Sequence, residues 1–514
     1  MARILDGTSP MTQELSSPAN STRFIKIRSW QCKALTPVAV DIEVLRTRGL
    51  NQLILTGLPD AWLKDSRDKL RALAARWANW GPFDRILIHL LPADESKNGA
   101  HLEFPILIGC LLALNPTDLP ESSLQFLENY ALVGSITLEG NLVHTSVSRV
   151  LERSLPDSTV GPSRFRNIAD FLEFLIVGAN KQNLPEVFSE PTPTQYESES
   201  PIPSNIRVQG RYWERLWLLS AAVAQVPTLL MGPPGAGKSH LAQWAGQSLP
   251  NLSNPIRAQV DQIWGLAGRE APQQAPVINP HSRTHIAEFL GHSKGGVSRP
   301  GWFSLAHGGT LILDEFPEMN RDCREILRTI LDQKRILRQS AGERLEWPAR
   351  FWLLSTANPC PCGYARGDDI SKCSCPESVR SKYQTRMSGP LLDRFSLKLY
   401  VPEEDAQRSV ESWIAHISLD AEPVEIRKLI LDARARMTET IPLADIFIRQ
   451  EAEFQRMSER GKIGKVLLLA AFCAITQKSI SEIGPLLSIV YRMEEPLFHR
   501  KAVSQNWRGL NIHA

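Results

Sequence analysis

The sequence predicts a multidomain α/β protein that ends in a small all-helical domain. Three observations support this fold class. The chain has 514 residues, which is more than one core usually holds and suggests roughly three units. Residues 206–402 alternate helix-like and strand-like segments, as an α/β domain does. From Pro402 onward, apolar residues recur at helical spacing, which predicts the helices 406–416, 424–437, 446–460 and 463–476.

The first third of the chain has a mixed pattern. Residues 1–23 are polar and rich in Ser and Thr, without the apolar centre of a secretion signal, and predict a flexible leader. Residues 24–184 predict a first domain. Apolar runs there predict strands at 52–56 and 85–91, and helical spacing predicts a helix over 61–80.

A change of composition separates this domain from the rest of the chain. Residues 185–205 are rich in Pro, Ser and Glu, a composition that cannot bury a core and is typical of an interdomain linker. The α/β domain then spans 206–402, and the helical C-terminal domain spans 403–514.

Composition limits the class of protein. Hydrophobic residues make up 43% and charged residues 22%, which is ordinary for a soluble globular chain. A net charge of only +3 means that any contact with nucleic acid depends on local basic patches. No apolar run reaches the roughly 18–20 residues of a membrane span, so no membrane partner is expected. Eight cysteines in this long chain do not indicate a disulfide scaffold and favour a reducing, cytoplasmic location.

A phosphate-binding loop stands at the centre of the α/β domain. An apolar run at 226–231 enters it, and a helical pattern leaves it, which is the context that this motif requires. Backbone N–H groups of such a loop face the phosphates of ATP, Lys238 reaches the β- and γ-phosphates, and the Ser239 hydroxyl ligates Mg²⁺. A glycine-rich turn that matches by chance is the alternative. The predicted nucleotide-binding residues are Gly232, Pro233, Pro234, Gly235, Ala236, Gly237, Lys238 and Ser239.

Two later strands end in polar side chains. The strand 309–313 ends in Asp314, suited to Mg²⁺, and Glu315, suited to a base that polarises the attacking water. The alternative is an acidic pair that caps a helix. The strand 350–357 ends in Asn358, which is either a residue that orients the same water or an ordinary turn residue.

Arg394 follows a short helical turn that reads Ser388-Gly-Pro-Leu-Leu-Asp. A lone arginine at such a place usually forms a surface salt bridge. The alternative is an arginine finger that stabilises charge in the transition state. Spacing alone does not decide between the two.

Four cysteines cluster within 16 residues, the segment 360–375. Two close pairs of thiolates can form a tetrahedral zinc site, and its role is structural because all four positions are filled. Four reduced thiols without a metal are the alternative. The predicted ligands are Cys360, Cys362, Cys373 and Cys375.

Residues 333–350 predict a basic β-hairpin with its tip at Gly342. Basic side chains there could follow a phosphate backbone, although a charge run is usually a solvated face. The segment 281–299 is a second candidate for an insertion that faces the substrate. The basic residues of the hairpin are Lys334, Arg335, Arg338, Arg344 and Arg350.

Several motifs resemble the YifB/ComM family of magnesium-chelatase-like AAA+ ATPases. Ala357-Asn-Pro-Cys-Pro-Cys-Gly363 is highly specific for it, and residues 24–400 share the likeness. The other matching segments are 55–60, 91–94, 103–109, 300–315, 347–351 and 388–395.

The resemblance implies a Lon-protease-like N-terminal domain, an AAA+ core and a helical lid. It also implies a homo-hexameric ring that acts on DNA as a helicase, with branch migration during natural transformation as the family activity. Arg394 would act in trans on the neighbouring subunit's ATP. Arg460, in the segment Ser458-Glu-Arg, is the candidate second sensor, although residues 461–465 depart from the family pattern.

The resemblance does not imply proteolysis. An active Lon-like protease needs a nucleophilic serine beside a lysine. Here His101 and Leu102 stand where that serine is expected, and nothing marks Ser96 and Lys97 as a dyad. We therefore expect a non-proteolytic platform.

Three functions remain open. The first is a DNA translocase driven by ATP. The second is a chelatase motor subunit that drives metal insertion into a porphyrin, which the extra N-terminal domain argues against. The third is a nucleotide-gated scaffold with little turnover, which intact Glu315, Asn358 and Arg394 argue against.

Overall fold

A computed structural model describes most of the chain. Of the predicted leader, only residues 5–6 and 23 are described. The linker beyond residue 188 and the predicted helix 406–416 lie outside the described residues. The described residues are 5–6, 23–57, 61–78, 80–93, 97, 99–115, 119–188, 206–294, 297–340, 343–365, 372–403 and 419–484.

The N-terminal domain is built on a five-stranded sheet of order β1-β2-β3-β5-β4. All its pairings are antiparallel except β4 with β5. Alternate residues of β3 and β5 are buried, because one face of the sheet packs on helices. The elements are β1 (Leu5–Asp6), β2 (Arg23–Lys33), β3 (Thr36–Arg48), β4 (Gln52–Thr56), α1 (Ala61–Trp77), β5 (Asp84–Leu91), α2 (Glu103–Leu114), α3 (Glu121–Asn129), β6 (Ala131–Leu132), β7 (Ser135–Ile136), β8 (Leu142–Val143), α4 (Ser146–Ser154), β9 (Thr159–Val160) and α5 (Ile168–Gly178).

The central domain contains a parallel sheet of order β11-β14-β17-β10-β18. Every residue of β10, β14 and β17 is buried, as expected for strands covered on both faces. The predicted α/β fold is therefore confirmed. The elements are α6 (Tyr212–Ala224), β10 (Thr228–Met231), α7 (Lys238–Gly246), α8 (Asn254–Leu266), β11 (Val277–Ile278), α9 (Ile286–Leu290), β12 (His292–Lys294), β13 (Val297–Arg299), α10 (Trp302–Leu305), β14 (Thr310–Leu313), α11 (Arg321–Gln333), β15 (Arg335–Ser340), β16 (Glu343–Pro348), β17 (Trp352–Ala357), α12 (Glu377–Gln384), α13 (Gly389–Leu392) and β18 (Leu397–Tyr400).

The C-terminal part contains two long helices, α14 (Pro423–Gln450) and α15 (Glu459–Thr476). The prediction of separate helices at 424–437 and 446–460 is wrong, because α14 runs through Pro442 without a break. A proline inside a helix costs about 3 kcal/mol or more. Burial of apolar side chains on both sides of Pro442, such as Ile430 and Ile448, offsets that cost.

The three parts pack against one another. Helices α14 and α15 share one core with α6, where the rings of Trp217 and Phe472 lie 4.3 Å apart. On the other side, α4 of the N-terminal domain packs on α8, and Val150 shares a core with Ile263. None of the helices in the described ranges has the length and apolar character needed to cross a membrane.

Candidate active site

Three neighbouring parallel strands carry the predicted site to one edge of the central sheet. Strand β17 lies between β14 and β10, and the carboxyl ends of all three meet there. The loop 232–239 follows β10, Asp314 and Glu315 follow β14, and Asn358 follows β17. The Gly232 N–H donates to the Ala357 carbonyl at 3.4 Å, so the loop and β17 touch. This edge is where open α/β sheets bind their ligands.

The loop forms an open cradle. Gly235 and Gly237 have φ angles of 79° and 83°, and no atom lies within 4 Å of a Cβ placed at either. At Gly232 a Cβ would lie 2.1 Å from the carbonyl oxygen of Val401, the residue after β18, so this close approach of the two backbones requires glycine. Helix α7 begins at Lys238, and the N-terminus of a helix attracts anions. The geometry fits a nucleotide phosphate.

Lys238 is held by the loop itself. Its Nζ donates to the carbonyl oxygens of Gly232 at 2.9 Å and Pro233 at 2.7 Å. Burial lowers the pKa of Lys238, and the carboxylates of Asp314 and Glu315 oppose that change. The ammonium group therefore lies inside the cradle, in a position to meet phosphate oxygens.

Asp314 accepts hydrogen bonds from two hydroxyl groups. Ser239 Oγ lies 2.8 Å and 3.0 Å from the two carboxylate oxygens. Thr356 Oγ1 donates to the same carboxylate and accepts from the Glu315 backbone N–H at 3.0 Å. A hydroxyl and a carboxylate side by side form the kind of oxygen ligand set that Mg²⁺ prefers. Sequence reasoning missed Thr356. The only feature that could have indicated its role is a hydroxyl side chain one position before the end of β17.

Glu315 directly follows Asp314, and Asn358 directly follows the neighbouring strand β17. Glu315 is exposed and has a φ of 50°, a left-handed conformation that costs a non-glycine residue about 1 kcal/mol or more. Asn358 is half-buried, and its backbone lies near the hydroxyl of Tyr383, whose pKa is raised by burial. Both predicted residues thus lie at the same sheet edge as the loop.

Arg394 and Arg460 meet on one carboxylate. Asp332, at the end of α11, lies 2.5 Å from Arg394 Nη2 and 3.0 Å from Arg460 Nη2. Arg394 also donates to the carbonyl oxygens of Arg328 and Pro390, and its side chain is only 11% exposed, against 49% for Arg460. These polar partners of the two arginines therefore lie in α11 and α13. Sequence reasoning did not find Asp332.

The four clustered cysteines converge. Every pair of their sulfur atoms lies within 4.8 Å, and three of these Sγ–Sγ distances are 3.3, 3.6 and 3.8 Å. Burial raises the pKa of Cys360 to about 12. Burial also opposes the charged form of Cys362, but hydrogen bonds from the Tyr364 backbone and from Cys360 and Cys375 prevail and lower its pKa to about 6. This set of thiols can hold a metal ion.

The predicted hairpin is formed by β15 and β16, and residues 341–342 at its tip lie outside the described residues. Ile336 and Trp347 are buried, so one face of the hairpin packs on the domain. On the other face, Arg335 pairs with Glu346 at 3.0 Å. Arg338 donates to the Gly291 carbonyl. Part of the basic charge is therefore neutralised within the chain.

In the N-terminal domain, the expected nucleophile position holds His101, which is buried. Burial lowers the pKa of His101 to about 4. Lys97 is buried as well, and Ser96 lies outside the described residues.

Comparison with known proteins gives two family models and several relatives. Residues 206–409 match the model described as magnesium chelatase, subunit ChlI, and residues 42–155 match that of subunit ChlI of Mg-chelatase. The chain is 30% identical to the uncharacterized protein YifB of Escherichia coli over 384 residues, 71% of this chain and 73% of that protein.

Two further relatives show the same coverage. YifB of Salmonella typhimurium is 31% identical over 387 residues, and the competence protein ComM of Haemophilus influenzae is 28% identical over 385 residues. Each match spans 71% of this chain and 73% of the relative. The chain therefore belongs to the YifB/ComM family of magnesium-chelatase-like proteins.

Proposed function

We propose that this protein is an ATP hydrolase whose AAA+ core uses Mg²⁺. The observation that carries the proposal is the Asp314 carboxylate, fixed by Ser239 and Thr356 beside the cradle that holds Lys238. Lys238 and the loop N–H groups bind phosphate oxygens. Ser239 and Asp314 hold the Mg²⁺ ion, which supplies charge stabilisation at the phosphates when bound.

Glu315 and Asn358 act on the attacking water. Glu315 is the proposed general base, since it is exposed at the same sheet edge and its backbone is fixed by Thr356. Asn358, at the end of the neighbouring strand, orients the water. Because β14 and β17 are paired in register, the two side chains leave the sheet from adjacent strands.

We further propose that ATP hydrolysis drives a homo-hexameric ring on DNA, as a helicase that promotes branch migration. The relative named competence protein ComM supports a role in competence. In this proposal the N-terminal domain is a Lon-like, non-proteolytic platform and the C-terminal helices form the lid. Arg394 and Arg460 lie together on Asp332. Arg394 is the proposed group that contacts the neighbouring subunit's nucleotide, and Arg460 is the proposed second sensor.

The test is phosphate release by the full-length protein with and without branched and single-stranded DNA, together with branch migration of a labelled junction. We expect DNA to raise turnover and the junction to resolve only with ATP. Lys238→Ala should lower phosphate release at least about 100-fold, because the γ-phosphate loses its cation. Lys428→Ala, at an exposed position of α14, is the matched control and should behave like the wild type.

Two results separate the alternatives. ATP turnover that responds to a porphyrin and a metal ion but not to DNA would favour a chelatase motor, which the chelatase family models motivate. Stoichiometric ATP binding without phosphate release would indicate a nucleotide-gated scaffold. Either result would contradict the DNA-driven motor.

A further inference from the structure

The four cysteines have the spacing of a closed tetrahedral metal site. A tetrahedron of thiolates around zinc, with Zn–S bonds of about 2.3 Å, has sulfur atoms about 3.8 Å apart. Three of the Sγ–Sγ distances are 3.3, 3.6 and 3.8 Å, and all four sulfur atoms lie within 4.8 Å of one another. Four thiolate ligands select a soft or borderline cation such as zinc, and they leave no open position for chemistry.

This cluster touches the nucleotide cradle directly. Gly363, one residue after Cys362, has a φ of 90°, and a Cβ placed on it would lie 2.2 Å from Cδ of Pro234. The backbone of the cysteine segment is therefore in close contact with the ring of a loop proline. A position so near another residue, and with positive φ, admits only glycine without a shift.

Both ends of the same segment lie close to Asn358. Asn358 lies two residues before Cys360 and only Pro359 separates them. At the other end, Cys375 is followed by Pro376 and α12, whose buried Tyr383 lies near the backbone of Asn358. A metal that holds Cys360 and Cys375 together would therefore fix both neighbours of Asn358, the residue proposed to orient the water.

We propose that Cys360, Cys362, Cys373 and Cys375 bind one zinc-class ion and that this ion positions Pro234 and Asn358 for ATP turnover. The inference rests on the proposed ATP hydrolysis and adds its dependence on a second, structural metal. Without the ion, the segment loses the cross-link that fixes it on the cradle, so the water and the γ-phosphate are less well aligned. ATP binding, which uses the loop N–H groups and Lys238, is affected less.

The test measures metal content and kinetics of the purified full-length protein. Elemental analysis of the wild type should give about one zinc per chain. Cys373→Ser and Cys375→Ser should lose most of it, and kcat should fall at least about tenfold while KM for ATP changes less than about threefold. Cys32→Ser, a cysteine outside the cluster, is the control and should keep both the metal and the wild-type kcat.

Gly363→Ala distinguishes metal binding from the coupling of the metal site to ATP turnover. This variant keeps all four thiols and should retain the zinc, but kcat should fall because the new Cβ pushes the segment off Pro234. Cobalt loaded in place of zinc should show thiolate charge-transfer absorption in the wild type and in this variant. The cobalt spectrum reports on the site without any activity measurement.

The opposite outcomes would each contradict one part of the proposal: the metal site, its coupling to ATP turnover, or the route through Pro234. A wild type without metal overturns the site, and metal-free Cys373→Ser with wild-type kcat overturns the coupling. Wild-type kcat in Gly363→Ala overturns the route through Pro234. If the cysteine variants do not fold, Gly363→Ala decides the coupling alone. A wild type that carries zinc but releases no phosphate refutes ATP hydrolysis and the coupling, and leaves the metal site established.

Discussion

At the scale of single residues, the site is organised around the orientation of one carboxylate. Asp314 accepts from Ser239 on helix α7 and from Thr356 on strand β17. Hydrogen bonds to an ionised carboxylate are stronger than those between neutral groups. Because Thr356 also accepts from the Glu315 N–H, one hydroxyl fixes both the metal ligand and the backbone of the general base. We therefore treat Thr356 as a positioning residue.

Thr356→Val tests this role at nearly constant volume. The carboxylate of Asp314 loses a donor and the Glu315 N–H loses its acceptor, so we expect kcat to fall about tenfold or more with a smaller change in KM for ATP. Steady-state phosphate release measures both. Ser355→Ala is the control in the same strand, because the buried Ser355 hydroxyl has no hydrogen-bond partner among the described residues. Equal kcat values for Thr356→Val and the wild type would refute the positioning role.

The sequence predicts the residues of the site better than the contacts among them. That the loop 232–239, Asp314 and Asn358 lie at one sheet edge was predictable, because a local pattern or a strand end identifies the place of each. Thr356 and Asp332 were not, because their partners lie 42 and 62 residues away along the chain. A threonine inside a buried strand carries no sign that its hydroxyl faces a carboxylate on the next strand.

At the scale of elements, the N-terminal and central domains meet where α4 crosses α8. A Cβ placed on Gly265 of α8 would lie 2.5 Å from Cγ2 of Val150 on α4. A glycine inside a helix normally costs about 1 kcal/mol relative to alanine. Its presence in α8 is therefore explained by the close approach of the two helices.

A double-mutant cycle tests this contact. Gly265→Ala should lower the stability of the wild type, since overpacking costs about 1–3 kcal/mol and exceeds the gain in helix propensity. In a Val150→Ala background the methyl group is gone, and the same change should raise the stability. Thermal unfolding followed by tryptophan fluorescence measures both. An increase in both backgrounds would show that α4 and α8 are not in contact.

Helix ends show why sequence patterns are incomplete at this scale. Pro442 suggests a break, yet α14 continues through it because tertiary packing overrides the local preference. The start of α15 was also placed too late, at residue 463. Ser458 caps this helix by accepting from the Gly461 N–H at 3.1 Å, and its hydroxyl donates to Asp393 at 2.7 Å. That second contact depends on the tertiary fold.

At the scale of the whole molecule, the proposed ring depends on two arginines that lie next to each other at the end of α11. Asp332 holds Arg394 and Arg460 together, and Ser458 ties the start of α15 to Asp393 beside them. Arg394 must leave Asp332 to reach a neighbouring subunit's nucleotide, whereas Arg460 is half exposed already. The fold of one chain can be predicted largely from its sequence. The proposed interface between subunits cannot, because it also depends on the surface of a second chain.

Mixed subunits test whether Arg394 acts in trans. Lys238→Ala and Arg394→Ala should each be inactive alone. In a randomly mixed ring, about a quarter of the interfaces would combine an intact loop with an intact arginine, so about a quarter of wild-type phosphate release should return. The control is a mixture of Lys238→Ala and Lys238→Met, in which no interface has an intact loop and phosphate release should not recover. No recovery in the first mixture would contradict action in trans.

The most direct test of ATP hydrolysis at this site compares phosphate release by the wild type, Glu315→Gln and Glu325→Gln, with ATP binding measured in parallel. Glu325 is an exposed carboxylate on α11 whose partner Arg328 lies 3.9 Å away, and it serves as the matched control. We predict that Glu315→Gln binds ATP normally but releases phosphate at least about 100-fold more slowly, since the general base is lost. Wild-type turnover in Glu315→Gln would contradict the account.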